Sequence, residues 1–315
     1  MNMSPALLLA GLAVLLALGS SAVALLAGRQ PWVLRRVATP PLGLSGLADL
    51  AAGLWALLAG GEIAATLPLG LPWMPWQVRV DALSGLLLMV IGLVTCAVGI
   101  YGPSYVRGFE HGRDSLTALG GFTGLFLTGM FLVVLANDAF LFMVAWELMS
   151  LSSYFLVAFQ HENAANRRAA FLYLLMAHVG GLTILLGFGV LSGFGHSFAF
   201  DAMREATLSP GWASVAFALA FVGFGMKAGL VPLHAWLPEA HPVAPSHISA
   251  LMSGVMLKVA VYGFIRVVFD LIGQVQWQWG VTLIVIGSVS ALVGVLVALM
   301  QTDLKRLLAY SSLEN

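Results

Sequence analysis

Apolar residues run along this chain in stretches of about twenty, separated by short polar segments, which is the length a helix needs to cross a bilayer. The pattern lacks the strict alternation of a transmembrane barrel strand. Nine stretches predict spanning helices, at 5–27, 42–66, 82–105, 118–136, 139–160, 169–193, 212–236, 247–270 and 279–300. A tenth begins near Asp303 and reaches Asn315 after about a dozen residues, short of a span. The chain is therefore expected to be the N-terminal part of a longer protein. The first stretch reads as a retained helix rather than a signal peptide, because Arg29, Arg35 and Arg36 follow it and no positive charge precedes it.

The seventh stretch is interrupted. Lys227-Ala-Gly-Leu-Val-Pro232 places a glycine and a proline in mid-membrane sequence, and Leu-His-Ala-Trp-Leu-Pro-Glu-Ala-His-Pro follows, ending at Pro242. Proline lacks an amide donor and clashes with the preceding turn. Irregular backbone at that depth persists where protein buries it or where it lines water, and such breaks point to transport sites.

Composition agrees. Charged residues make up 9% of the 315, against roughly 25% in soluble domains. Net charge is zero, with no basic tract to suggest nucleic acid. Cys96 is the only cysteine, too few for an internal disulfide or an iron–sulfur cluster, so redox chemistry is assigned to partner chains and no cofactor is expected. No phosphate-binding loop, dinucleotide fingerprint or nucleophile elbow is present. With the N-terminus outside, inner loops hold Arg29, Arg35, Arg36, Arg107, Arg113, Arg167, Arg168, Lys305 and Arg306. The outer side holds Arg79, Arg204 and Arg266. That asymmetry fixes the expected orientation. Trp73 and Trp76 in the outer segment 70–80 fit an interfacial aromatic belt.

Three ionisable residues fall inside spans. Glu147 lies about 12 Å into the fifth helix, Lys227 about 22 Å into the seventh and Lys258 about 16 Å into the eighth, at the helical rise per residue. A charge at such depth costs about 2.5–3.5 kcal/mol on insertion scales, so these groups pair or face water. One reading is a structural Glu147–Lys227 salt bridge. The other is a proton relay, in which a carboxylate tunes a lysine whose proton affinity burial has weakened. His178, His234, His241 and His247 are further relay candidates, with His234 one turn beyond Lys227 and His247 opening the eighth helix. No metal is expected, since His241 and His247 lack a convincing third ligand even with Glu239 nearby. Asp49 and Glu62 are read as lying near the ends of the second helix, and Asp138 as the cap of the fifth.

Four segments resemble the proton-conducting antiporter-like membrane subunits of respiratory complex I, multisubunit cation/proton antiporters and energy-converting hydrogenases. They are WELMSLSSYFLVAFQHE at 146–162, KAGLVPLHAWLPEAHP at 227–242, HPVAPSHISALMSGVMLK at 241–258 and DLKRLLAYSS at 303–312. Within that family the pattern is most similar to the large membrane subunits of hydrogenase-4 and formate hydrogenlyase. The resemblance implies an all-α polytopic fold with one full five-helix repeat. Helices 1–3 would occupy 1–110, the proton-channel repeat 111–275 and the start of a second, inverted repeat 276–315. It also implies that Glu147 pairs with Lys227 and that Lys258 is the central lysine. The function implied is a non-redox, proton-translocating subunit of a hydrogenase-linked or complex I-like oxidoreductase complex. Partners would be other membrane subunits, a peripheral hydrogenase or dehydrogenase and iron–sulfur subunits, in a bacterial or archaeal cytoplasmic membrane. The alternative is a subunit of a sodium/proton antiporter. A stand-alone solute transporter and a purely structural scaffold are the readings from other classes.

Overall fold

The computed structural model describes residues 4–27, 30–110 and 114–314. Arg29, Arg113 and Asn315, with the expectations placed on them, lie outside the described residues. Among the described residues, eight helices are long and apolar enough to cross a membrane, and the chain is an all-α multi-pass membrane protein. In chain order the helices are α1 (Pro5–Ala27), α2 (Pro31–Val33) and α3 (Thr39–Ala59). A hairpin of β1 (Ile63–Leu71) and β2 (Met74–Val80) follows. Next come α4 (Ala82–Val106), α5 (Leu116–Leu135), α6 (Ala139–Val157), α7 (Ala164–Gly195), α8 (Phe200–Glu205), α9 (Pro210–Ala228) and α10 (Leu237–Val243). The chain continues with α11 (Ser246–Leu251), α12 (Leu257–Ile265), α13 (Trp277–Leu299) and α14 (Leu304–Glu314). Residues 34–38, 252–256 and 266–272 take the wider π-helical winding.

The second expected helix, 42–66, is corrected at both ends. It starts at Thr39 and stops at Ala59, where Gly60 and Gly61 adopt φ of 66° and 82°. Only glycine enters that region without steric cost. Residues 63–80 then form the antiparallel hairpin, pairing Ile63 with Val80 and Thr66 with Gln77. Asp49 is also corrected, because it stands at the middle of α3 and is fully buried. Glu62 lies beyond the helix and pairs with Arg79 at 2.8 Å. The eighth expected helix, 247–270, is a helical run in four pieces: α11, the π segment Met252–Met256, α12 and the π segment Arg266–Ile272.

The chain divides into two compact units, one of residues 1–161 with 245–255 and the other of 162–244 with 256–315. In the first, α3 and α4 touch backbone to backbone through glycines. A Cβ placed on Gly46 would stand 2.7 Å from the Cys96 nitrogen, and one on Gly92 2.5 Å from the Leu50 nitrogen. Small residues permit this close approach where the hydrophobic effect no longer drives helices together. The hairpin is tied to two helix starts. Asp138 caps α6, as expected, by accepting from the Leu141 amide at 2.6 Å, and it also accepts from the Gln77 amide of β2 at 2.8 Å. Burial pushes the Asp138 carboxyl up from its ordinary range, while these amides and that of Phe140 pull it back. Arg79 joins Asp81 at 2.8 Å, and Asp81 caps α4 through the Ser84 amide.

In the second unit, α7 and α9 approach through Gly180 and Gly223. A Cβ on Gly223 would stand 2.9 Å from the Gly180 carbonyl oxygen. Gly263 lets α12 meet α9, because a Cβ there would lie 2.4 Å from Phe224. At one end of this unit Arg204 grips both oxygens of Asp270, at 2.8 and 2.9 Å, and Arg266 adds a third bond at 3.1 Å.

Candidate functional site

The break in the seventh expected helix is real and closely tied down. Lys227 is the penultimate residue of α9, and Gly229 closes the helix with φ 87°. A Cβ on Gly229 would stand 2.7 Å from Leu237, so the turn needs glycine for space as well as conformation. Several of the groups that a broken helix releases find partners. Gly229 and Leu230 amides both donate to the Gly225 carbonyl at 2.9 Å. The Trp236 indole donates to the Met226 carbonyl at 2.8 Å, and the Val231 amide donates to the Ser290 hydroxyl of α13 at 3.0 Å. Backbone freed inside a membrane requires such replacement.

Lys227 is buried beside this turn. Its Nζ donates to the Tyr173 hydroxyl of α7 at 2.7 Å and stands 4.8 Å from the centre of that ring. Its position in the last turn of α9 also sets the ammonium near the negative end of the helix dipole. The Tyr173 hydroxyl reaches the Met256 sulfur at 3.6 Å. Tyr173 packs on Trp236 at 5.0 Å between ring centres, and Trp236 packs on the buried His241 at 6.0 Å. A continuous line therefore runs from the ammonium through a phenol and an indole to an imidazole. Lys258, two residues past Met256 and second in α12, is half-buried in the same unit.

The other candidates are placed as follows. Glu147 is half-buried in α6 between Trp146 and Leu148, in the first unit, whereas Lys227 belongs to the second. His234 sits in the turn, with its Nδ1 shielded from solvent. His247, in the first unit, is buried with its ring edge-on to Tyr105 at 5.1 Å. His178 occupies the exposed face of α7, its Nδ1 3.2 Å from the Leu174 carbonyl.

Sequence reasoning missed Tyr173, Trp236 and Lys305. Lys305 of α14 donates to the carbonyls of Pro242 at 3.1 Å and Ala244 at 2.9 Å, capping α10, and Arg306 pairs with Glu239 at 3.0 Å. A buried tyrosine is a visible signal, but its partner is not. Lys305 and Arg306, beside Asp303, read in the sequence as inner-loop cations.

Chemically the arrangement suits proton handling. A lysine can release its proton, whereas an arginine keeps its own. Tyrosine and histidine can both accept and donate.

A family profile described as NADH:quinone oxidoreductase/Mrp antiporter, TM, matches residues 136–315. Hydrogenase-4 component B of Escherichia coli (strain K12) is 42% identical over 282 residues, which are 86% of this chain and 41% of that one. Respiratory complex I from Thermus thermophilus contains a chain that is 29% identical, with a TM-score of 0.79 over 97% of this chain and 62% of that one. The Mrp complex from Dietzia sp. DQ12-45-1b contains one with a TM-score of 0.83 at 23% identity, over 98% and 57%. This last likeness is one of fold. The chain spans about two fifths of the length of Hydrogenase-4 component B.

Proposed function

The chain belongs to the NADH:quinone oxidoreductase/Mrp antiporter membrane family, and from that membership we propose that it is the proton-translocating membrane subunit of a hydrogenase-linked complex. One observation carries the reading beyond family membership. A buried lysine, Lys227, is held by a phenol at a helix break whose freed backbone groups are satisfied. In this reading residues 111–275 form the channel repeat, Glu147 modulates Lys227, and Lys258 passes the proton on, with His234, His241, His247 and His178 as side stations. The complex lies in a bacterial or archaeal cytoplasmic membrane. A peripheral hydrogenase with iron–sulfur subunits supplies the redox step, and this chain supplies none. The identity to Hydrogenase-4 component B favours a hydrogenase over complex I.

Proton uptake by vesicles holding the assembled full-length complex tests this. Lys227→Ala should assemble and lose uptake, and retained uptake would overturn the reading. The second reading, a sodium/proton antiporter subunit, draws on the fold shared with the Mrp complex. Sodium-driven proton movement without hydrogenase turnover would select it.

A further inference from the structure

The first unit contains a carboxyl group that the Lys227 line does not use. Asp49 is fully buried at the centre of the stripe Leu42, Ser45, Gly46, Asp49, Ala52 and Gly53, by which α3 packs inward. Neither carboxyl oxygen has a hydrogen-bond partner. On α4 the hydroxyl of Thr95, also fully buried, is likewise without one. The glycine contacts bring the two backbones together here, since Gly46 meets both Gly92 and Cys96, and Gly92 meets Leu50.

Among the described residues of this unit, no cation answers this carboxyl. Helices α1, α3, α4 and α5 contain no lysine, arginine or histidine. The titratable groups of α4 are Cys96, whose thiol donates to the Gly43 carbonyl, and Tyr101 and Tyr105 nearer its end. Arg35 is engaged by Glu110 at 2.8 Å, and Arg36 is exposed. An ionised carboxylate in this position would lose its hydration with nothing in exchange. Ionisable residues inside membrane helices are costly and mark ion or proton pathways.

A narrow cleft in the same unit lies two helical turns from Asp49 along α3. It is bordered by Leu42 and Thr39 of α3, Val98 and Gly102 of α4, Ser20 of α1, and His247. Leu42 lies two turns from Asp49 on the same stripe, and Val98 one turn from Thr95. Room remains for roughly one or two waters. The imidazole Nδ1 of His247 is buried and lacks a hydrogen-bond partner. The cleft reaches Ala38 and Val106, at the end of the unit that holds the Arg35–Glu110 pair.

We propose that Asp49 is a second proton-binding site, separate from Glu147, Lys227 and Lys258, which exchanges its proton with the basic side of the membrane through waters in the cleft beside His247. Its part in transport rests on the proposed function, but the exchange itself does not.

The test uses the full-length chain in its assembled complex, in lipid vesicles, examined by infrared spectroscopy. The wild type should show the carbonyl stretch of a protonated carboxyl, shifting on transfer to heavy water. The band should vanish in Asp49→Asn, move in Asp49→Glu and survive in Glu147→Gln. Gly102→Ala should slow the shift several-fold. A methyl there meets only Thr39, at an ordinary 3.8 Å, yet occupies the cleft. Proton uptake should fall several-fold in Asp49→Asn while the complex still assembles. Absence of the band, or a band that heavy water never shifts, would overturn the proposal, and normal uptake by Asp49→Asn would remove its part in transport. Normal uptake by Lys258→Ala would instead strike the relay reading and leave the Asp49 exchange standing.

Discussion

The ammonium of Lys227 donates to the hydroxyl of Tyr173 at 2.7 Å, joining two residues 54 positions apart in the chain. Both are buried, and the ring of the same tyrosine lies 4.8 Å from the charge. Two contributions, a hydrogen bond and a nearby ring, therefore come from one side chain.

Substituting Tyr173→Phe separates them. The ring stays and the oxygen goes. A hydrogen bond to a charged group is worth about 1.5–3 kcal/mol, so proton uptake should fall by roughly tenfold or more. Uptake by Tyr173→Phe vesicles within a factor of two of wild type would assign the holding of Lys227 to the ring alone.

If Glu147 modulates Lys227 as proposed, Glu147→Gln should assemble normally and lose most proton pumping, by roughly tenfold or more, because removing a counter-charge shifts proton affinity by about a unit or more. Glu147→Asp should keep part of the activity. Full pumping by Glu147→Gln in reconstituted vesicles would restore the structural salt bridge as the better account of this carboxylate.

Lys258 is where fixed charge and proton carrier diverge. Lys258→Ala should abolish uptake, and Lys258→Arg should do so nearly as completely, since arginine keeps its charge but does not release its proton below a pKa of about 12. Uptake close to wild type in Lys258→Arg, with the complex intact, would make the residue a counter-charge only.

The orientation is open to a reporter assay. Fusions after Arg36 and Arg168 should report the cytoplasm, and a fusion near Arg204 the outside, following the bias of basic residues toward inner loops. Inverted signals at these three sites would reverse the assigned topology and with it the side from which Asp49 is reached.

Most spans were legible because a helix that crosses a bilayer must write about twenty apolar residues in a row. The break was legible too, since Gly229 and Pro232 are punctuation that a straight helix does not carry. The hairpin was not. Its first strand, Ile-Ala-Ala-Thr-Leu-Pro-Leu-Gly-Leu, continues the apolar run of α3, and only the positive φ at Gly60 and Gly61 ends the helix before it. The error over Asp49 followed from the same boundary, because extending the helix to residue 66 moved its middle away from the aspartate. Lys227 stood out as a charge in an apolar span, whereas its phenol partner could not, because a contact across 54 residues leaves no spacing to read.

The two hydrogen bonds from Lys305 to the carbonyls of Pro242 and Ala244 have a mechanical consequence. One ammonium on α14 holds the last turn of α10, and with it the backbone next to His241, while Arg306 holds Glu239 at the other end of that short segment. Helix α10 is thus tethered at both ends to a helix that follows it by some sixty residues. A load on α14 would pass to α10 and so to His241, whose ring contacts Trp236. Force applied at one helix would arrive at the backbone of another.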